Sequence, residues 1–147
     1  MQKVYRAVSV MVPLDNGYLM VKESGLWCPP GGKIEPTDKT IMSAAMREAK
    51  EETGLIVSLE GFIGNYAFTS RNGNQIDCAV FRAARNFIGE LKPQEKDIEE
   101  VRFFSLDEIR RLNQSDLLRS GKPTIASIRD YQRRGCFPID EIFNYLS

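Results

Sequence analysis

Arg47-Glu48-Ala49-Lys50-Glu51-Glu52-Thr53-Gly54 puts three carboxylates and a guanidinium into little more than one helical turn. A helix spaced for stability alternates charge at i,i+4, whereas Glu48 and Glu52 repel at that spacing. Glu51 lies about 60° to 100° around the helix from them. Carboxylates converging in this way form a hard, oxygen-rich site suited to Mg²⁺ or Mn²⁺. Such ions keep waters and bind phosphate oxygens, so they position a diphosphate and activate a nucleophilic water. Arg47 neighbours Glu51 and would fix its rotamer by a charge-assisted contact. The preceding Gly31-Gly32 lets backbone approach a metal or phosphate closely, with Lys33 facing the same anion. An Arg-Glu-x-x-Glu-Glu run by itself is usually a solvated face. Here a Pro-Gly-Gly loop precedes it, small residues line the opposite stripe and Thr53-Gly54 stops it.

These residues need a scaffold, and 147 residues suit a single domain, 1–147, with a core of its own. Twenty basic and twenty acidic side chains cancel, which argues against a nucleic acid polymer as partner. A small phosphorylated ligand needs only a few local cations. Cys28, Cys78 and Cys136 are scattered, which predicts reduced thiols and a cytoplasmic protein. Histidine is absent, so serine–histidine and cysteine–histidine pairs are excluded and acid–base work falls to carboxylates, lysines or tyrosines. No apolar run approaches a membrane span, which predicts no membrane partner.

Val4 to Pro13 reads as a buried strand, and Asp15-Asn16-Gly17 turns into a hairpin partner at Tyr18–Lys22. Thr40 to Thr53 reads as a helix with Met42, Ala45, Met46, Ala49 and Thr53 on one stripe and Gly54 as its left-handed stop. Ile56–Phe68 and Gln75–Ala84 read as an antiparallel pair, followed by a short strand at Val101–Phe104. A helix capped by Ser105 and Glu108, a second at Thr124–Arg134 and terminal turns at Asp140–Leu146 complete the pattern. The order predicts one α+β domain with helices against a mixed sheet.

Gly32 through Leu55 resembles the Nudix box: Gly, five residues, Glu, seven residues, Arg-Glu, an apolar residue, any residue, Glu-Glu, any residue, Gly and an apolar residue. Arg47, Glu48, Ala49, Glu51, Glu52, Gly54 and Leu55 match throughout the second half, and Trp27 with Pro30-Gly31-Gly32 resembles the family's approach to the box. The first half departs from the pattern. Asp38 stands in place of glutamate, with eight residues rather than seven before Arg47. The extra residue is expected in the loop, since one inside the helix would rotate later side chains by about 100°. Asp38 then reads as a helix cap.

The resemblance implies a Nudix α/β/α sandwich with a central mixed sheet, and an Mg²⁺-dependent enzyme, with Mn²⁺ as substitute. The reaction implied is hydrolysis of a diphosphate linkage in a small nucleotide. It implies Arg47, Glu48, Glu51 and Glu52 as the catalytic set: Glu48 and Glu52 as leading metal ligands, Glu51 as third ligand or partner of a water on the ion, and Arg47 as the orienting residue. The Gly31 carbonyl joins the ligands, and a further acid before a late strand is assigned to Asp97, with Glu95, Glu99 and Glu100 as rivals. Gly32, Lys33, Glu35 and Trp27 are the candidate substrate contacts, although a lone tryptophan beside a Gly-rich loop is more often a packing anchor. Family members acting on ADP-ribose often carry a proline some sixteen residues past the box, and none occurs here between Pro36 and Pro93. The tyrosine common in dinucleoside polyphosphate hydrolases is not matched by Tyr66, which comes too early. The reading therefore leans to a nucleoside triphosphate or modified nucleotide. ADP-ribose, nucleotide sugars, dinucleoside polyphosphates and a nucleotide-binding module with little turnover are the alternatives. Dimers are frequent in the family, so a homodimer is among the expected assemblies.

Overall fold

The computed structural model describes residues 3–139. In chain order the elements are β1 (Val4–Met11), β2 (Pro13–Leu14), β3 (Gly17–Glu23), β4 (Leu26–Cys28), β5 (Gly31–Lys33), α1 (Ile41–Thr53), β6 (Leu59–Thr69), β7 (Gln75–Ala83), β8 (Glu100–Ser105), α2 (Leu106–Gln114), α3 (Gly121–Arg134) and β9 (Phe137–Pro138). One sheet runs β5-β1-β7-β6-β9 and is mixed: β1 and β7 are parallel and the other pairs antiparallel. The second sheet is built on β3, with β8 along one edge and the short β2 and β4 along the other.

Side chains alternate across the mixed sheet with the strand period of two. Val8, Val10, Ala79 and Phe81 face Met42, Ala45 and Ala49 of α1. Met11, Ile63, Cys78 and Val80 face the other way, onto Ile109 of α2 and Ile128 of α3. Helices thus cover both faces, which is the expected α/β/α sandwich. The β6–β7 pair and the Ser105–Glu108 capping box also form as the sequence predicts.

Three expectations are corrected. Of the strand expected at Val4 to Pro13, residues Val4–Met11 are not the hairpin partner of Tyr18–Lys22. A strand apolar on both faces belongs in a sheet interior, so β1 pairs with β5 and β7, and only Pro13–Leu14 turns back onto β3. Met46 is 37% exposed and lies outside the core. Asp38 does not cap α1; Thr40 does. Its hydroxyl accepts from the Ser43 N–H at 3.0 Å while the Ser43 hydroxyl accepts from the Thr40 N–H at 3.0 Å, a reciprocal capping box. Gly54 ends the helix at φ +82°, where a side chain would be strained. The terminal turns read at Asp140–Leu146 lie outside the described residues.

Thr40 sets where α1 starts and so the rotation of every acid along it. Thr40→Ala should lower stability by about 1 kcal/mol, the usual value of an N-cap side chain. Chemical denaturation measures it; an unchanged midpoint would return the capping role to Asp38.

Candidate active site

The acids of α1 converge because β5 is almost free of side chains. A Cβ on Gly32 would lie 2.6 Å from the Glu48 Oε1, and one on Gly31 would lie 2.3 Å from the Val8 carbonyl oxygen. Gly31 therefore lets β5 close onto β1, and Gly32 lets Glu48 lie against β5. The Gly31 N–H donates to the Glu52 Oε1 at 2.8 Å. Glu48 and Glu52 are both buried, 8% and 7% exposed, on a helix whose remaining buried residues are mostly apolar or small.

Arg47 binds three carboxylates at once. Its Nη1 donates to Glu48 Oε1 and Glu51 Oε2, each at 3.1 Å. Its Nε and Nη2 form a fork onto Asp38, at 2.8 and 2.9 Å, and Nη2 also reaches the Lys33 carbonyl at 3.3 Å. Asp38 is held in turn by the Glu35 N–H at 2.8 Å, within a turn closed by its own N–H to the Glu35 carbonyl. The extra residue is absorbed in this loop, and Asp38 becomes the anchor of Arg47. The Arg47 hydrogen bonds keep the Asp38 carboxyl below its ordinary range. Glu35 is outermost, with a carboxylate oxygen 3.7 Å from the Arg47 Nη1.

Carboxylate oxygens of Glu48, Glu51 and Glu95 lie within 4.8 Å of one another. Glu95, and not Asp97, is thus the loop acid brought to α1; Ile98 turns inward to the core, and Asp97 stays exposed beside it. Glu99 instead accepts from the Gly25 N–H, and Glu100 lies in β8. Burial raises the pKa of Glu48, and Arg47 opposes the rise. Glu95 is raised by burial and by its hydrogen bond to Glu51. Burial pushes Glu52 up to about 8 against the pull of the Gly31 N–H, with repulsion from Glu48 and Glu95 adding to it. An all-oxygen donor set of mutually repelling charges, with Glu48 buried, Glu51 half-buried and Glu95 exposed, fits a hard divalent cation.

A cavity of about 240 Å³ opens beside this cluster on the sheet face away from α1, with Gly31, Gly32 and Lys33 along one side and Phe68, Ile76 and Arg119 among its other walls. Lys33 lines it but holds its Nζ 4.0 Å above the Tyr5 ring. Trp27 is corrected: only 6% exposed, it meets Phe104 edge-on at 4.6 Å, so it is a packing anchor with no face free for a substrate. Tyr66 donates its hydroxyl to Asp130 at 2.6 Å. Cys28 and Cys78 also line the cavity as free thiols, pushed up to about 12 chiefly by burial. Arg119 belongs to no sequence motif and yet lines the cavity, and Glu95 ranked below Asp97 on sequence alone.

The NUDIX domain model matches residues 3–125. Phosphatase NudJ of Escherichia coli strain K12 is 31% identical over 150 aligned residues, covering 99% of this chain and 94% of that protein. A NUDIX hydrolase from Nitrosomonas europaea superposes with a TM-score of 0.82 at 27% identity, covering 94% of this chain and 95% of that one. A bifunctional NMN adenylyltransferase/ADP ribose pyrophosphatase from Francisella tularensis, solved with AMP and an Mn ion, shares the fold at a TM-score of 0.64 and 22% identity, over 87% of this chain and 41% of that one. The chain belongs to the Nudix hydrolase family, pyrophosphohydrolases that act on small nucleotides. Among the described residues, no helix is long and apolar enough to cross a membrane.

Two outcomes follow from the geometry. Glu95→Gln should abolish most of the rise in melting temperature given by Mg²⁺, while Asp97→Asn should leave it; the reverse pattern would restore Asp97 as the loop ligand. Without a cation, folded Glu52 keeps a proton that the unfolded chain gives up near the ordinary 4.5. The folded state then binds more protons between these values, so the stability of the metal-free protein falls as pH rises from about 5 to about 8. Thermal unfolding in EDTA should show that fall, and Glu52→Gln should flatten it; equal slopes in the two proteins would contradict the assignment.

Proposed function

We propose that this protein hydrolyses a diphosphate linkage in a nucleoside diphosphate derivative with Mg²⁺ as cofactor and Mn²⁺ as substitute, and that its substrate is a nucleoside triphosphate or a modified nucleotide. The observation that carries the reading is the meeting of Glu48, Glu51 and Glu95 beside two glycines that open onto a cavity. Glu48, Glu51 and Glu95 would hold the ion, with Glu52 and the Gly31 carbonyl adjacent. A divalent cation in such a place polarises phosphoryl oxygens and lowers the pKa of a bound water.

The chain's own residues do the rest. Arg47 fixes Glu48 and Glu51 in one orientation, and Asp38 fixes Arg47. The Gly31 N–H holds one oxygen of Glu52, leaving the other for the ion or for the proton of the attacking water. The cavity walls around Phe68 and Ile76 accept the organic part of the substrate, and β5 keeps its phosphates next to α1.

The word phosphatase in the name of the NudJ relative favours a second reading within the same site, release of orthophosphate from the terminal position. A binding module with little turnover drew its support from the displaced Asp38, and the Asp38–Arg47 fork takes that support away.

A hydrolysis screen over nucleoside triphosphates, nucleoside diphosphates, ADP-ribose, dinucleoside polyphosphates and nucleotide sugars, reading phosphate and pyrophosphate separately, tests the proposal. Release should need Mg²⁺ and stop with EDTA; no release from any of them would refute it. Glu52→Gln keeps an acceptor for the Gly31 N–H and should keep the fold, yet lose at least about a hundredfold in kcat, as loss of a general base costs ~10²–10⁴. Turnover near that of the native protein would remove the mechanism.

A further inference from the structure

Two cavities meet at one guanidinium. The first, of about 240 Å³, is lined by Gly31 and Gly32, the two glycines that also touch Glu52 and Glu48. The second, of about 860 Å³, lies between β6 and the start of α3. Phe68, Arg119, Ser120 and Pro123 line both, so Arg119 is the cation at their junction. We infer that Arg119 binds a phosphoryl oxygen of the substrate where its phosphate chain leaves the acid cluster for the cavities. This rests on the function proposed above and assigns a specificity-determining residue to it.

Arg119 is placed with care by its surroundings. Its Nη1 donates to the Glu23 carboxylate at 3.1 Å and its Nη2 to the Glu23 carbonyl at 3.1 Å. A guanidinium has five N–H donors, so these contacts fix its plane while leaving donors for a ligand. The side chain remains 37% exposed at the cavity wall. Its backbone is pinned independently: the Arg119 N–H donates to the Trp27 carbonyl at 2.8 Å, and the Trp27 N–H to the Leu117 carbonyl at 2.9 Å. From the tip of the β6–β7 hairpin, Arg71 donates to the carbonyls of Asp116, Leu118 and Arg119 and to the Asp116 carboxylate. The loop before α3 is therefore held without the Arg119 side chain.

The other cations of the cavities suit the role less well. Lys33 sits over the Tyr5 ring, Arg71 is spent on the loop, and Lys122 lines only the larger cavity. With one N–H of each Nη on Glu23, three of the five donors remain on a guanidinium of fixed plane, an orientation that a flexible ammonium lacks.

The test uses Arg119→Gln and Arg119→Lys, with inorganic imidodiphosphate as a competitive inhibitor and the best substrate of the hydrolysis screen. In Arg119→Gln, the inhibition constant and KM should each rise about tenfold or more, as for loss of a charge-assisted hydrogen bond, with kcat changed by less than about threefold. Arg119→Lys should recover part of the loss, because charge returns without the fork. Native inhibition constants in both variants, or in Arg119→Lys alone should Arg119→Gln not fold, would overturn the inference. So would a fall in kcat with KM and inhibition unchanged, the mark of a structural role. The native protein in the hydrolysis screen separates the two readings: if it shows Mg²⁺-dependent release while both Arg119 variants match it, only this inference fails, and if it hydrolyses none of the substrates, the function itself fails.

Discussion

Three carboxylates held against one guanidinium are the constraint on which the rest of this structure depends. Glu48, Glu51 and Asp38 all accept from Arg47, and Glu52 and Glu95 stand within range of the same cluster. One positive charge cannot neutralise five acids. Burial worsens the imbalance, because charged carboxylates lose water that nothing in the chain fully replaces. The fold tolerates this excess as a local cost carried by two helical layers packed on a mixed sheet. Such a cost persists at functional sites when the surrounding structure over-determines it.

What over-determines it is mostly backbone. The Thr40–Ser43 capping box fixes where α1 begins, Gly54 fixes where it ends, and the Ala-rich face between them seats it on β1 and β7. The glycines of β5 then bring a strand within contact of the Glu48 carboxylate. Replace either glycine by a larger residue and the strand, the helix or the acid must move. Both glycines also line the cavity, so β5 touches the acids and the cavity alike.

Much of this was legible in the sequence. The helix, its glycine stop and the acid set follow from period and motif, because local spacing alone decides them, while the α/β/α layering was implied by the resemblance to the Nudix family. Long-range partners were harder to see. Val4 to Pro13 was expected to turn back on Tyr18–Lys22, yet only its end does so, and the parallel pairing of Val4–Met11 with β7 depends on residues some seventy positions away in the register Val4 to Gln75. Asp38 looked displaced because counting residues says nothing of how a loop folds; its carboxylate still reaches Arg47 through the turn with Glu35. Glu95 and Asp97 were near-equivalent on paper, and only the direction of the loop, with Ile98 turned into the core, separates them. Trp27 was ambiguous until Phe104 was seen to cover its ring. Arg119 carried no sequence signal, since its position depends on Glu23, ninety-six residues away.

The central claim is that this excess of acid gathers a small divalent cation. Crystals soaked in Mn²⁺ and measured at an X-ray energy near the manganese edge would test it most directly. The account predicts an anomalous peak about 2.0–2.3 Å from carboxylate oxygens of Glu48 and its neighbours Glu51 or Glu95, the ordinary range for hard cations on oxygen. A map with no peak there, or with manganese bound only to acids elsewhere on the surface, would contradict it.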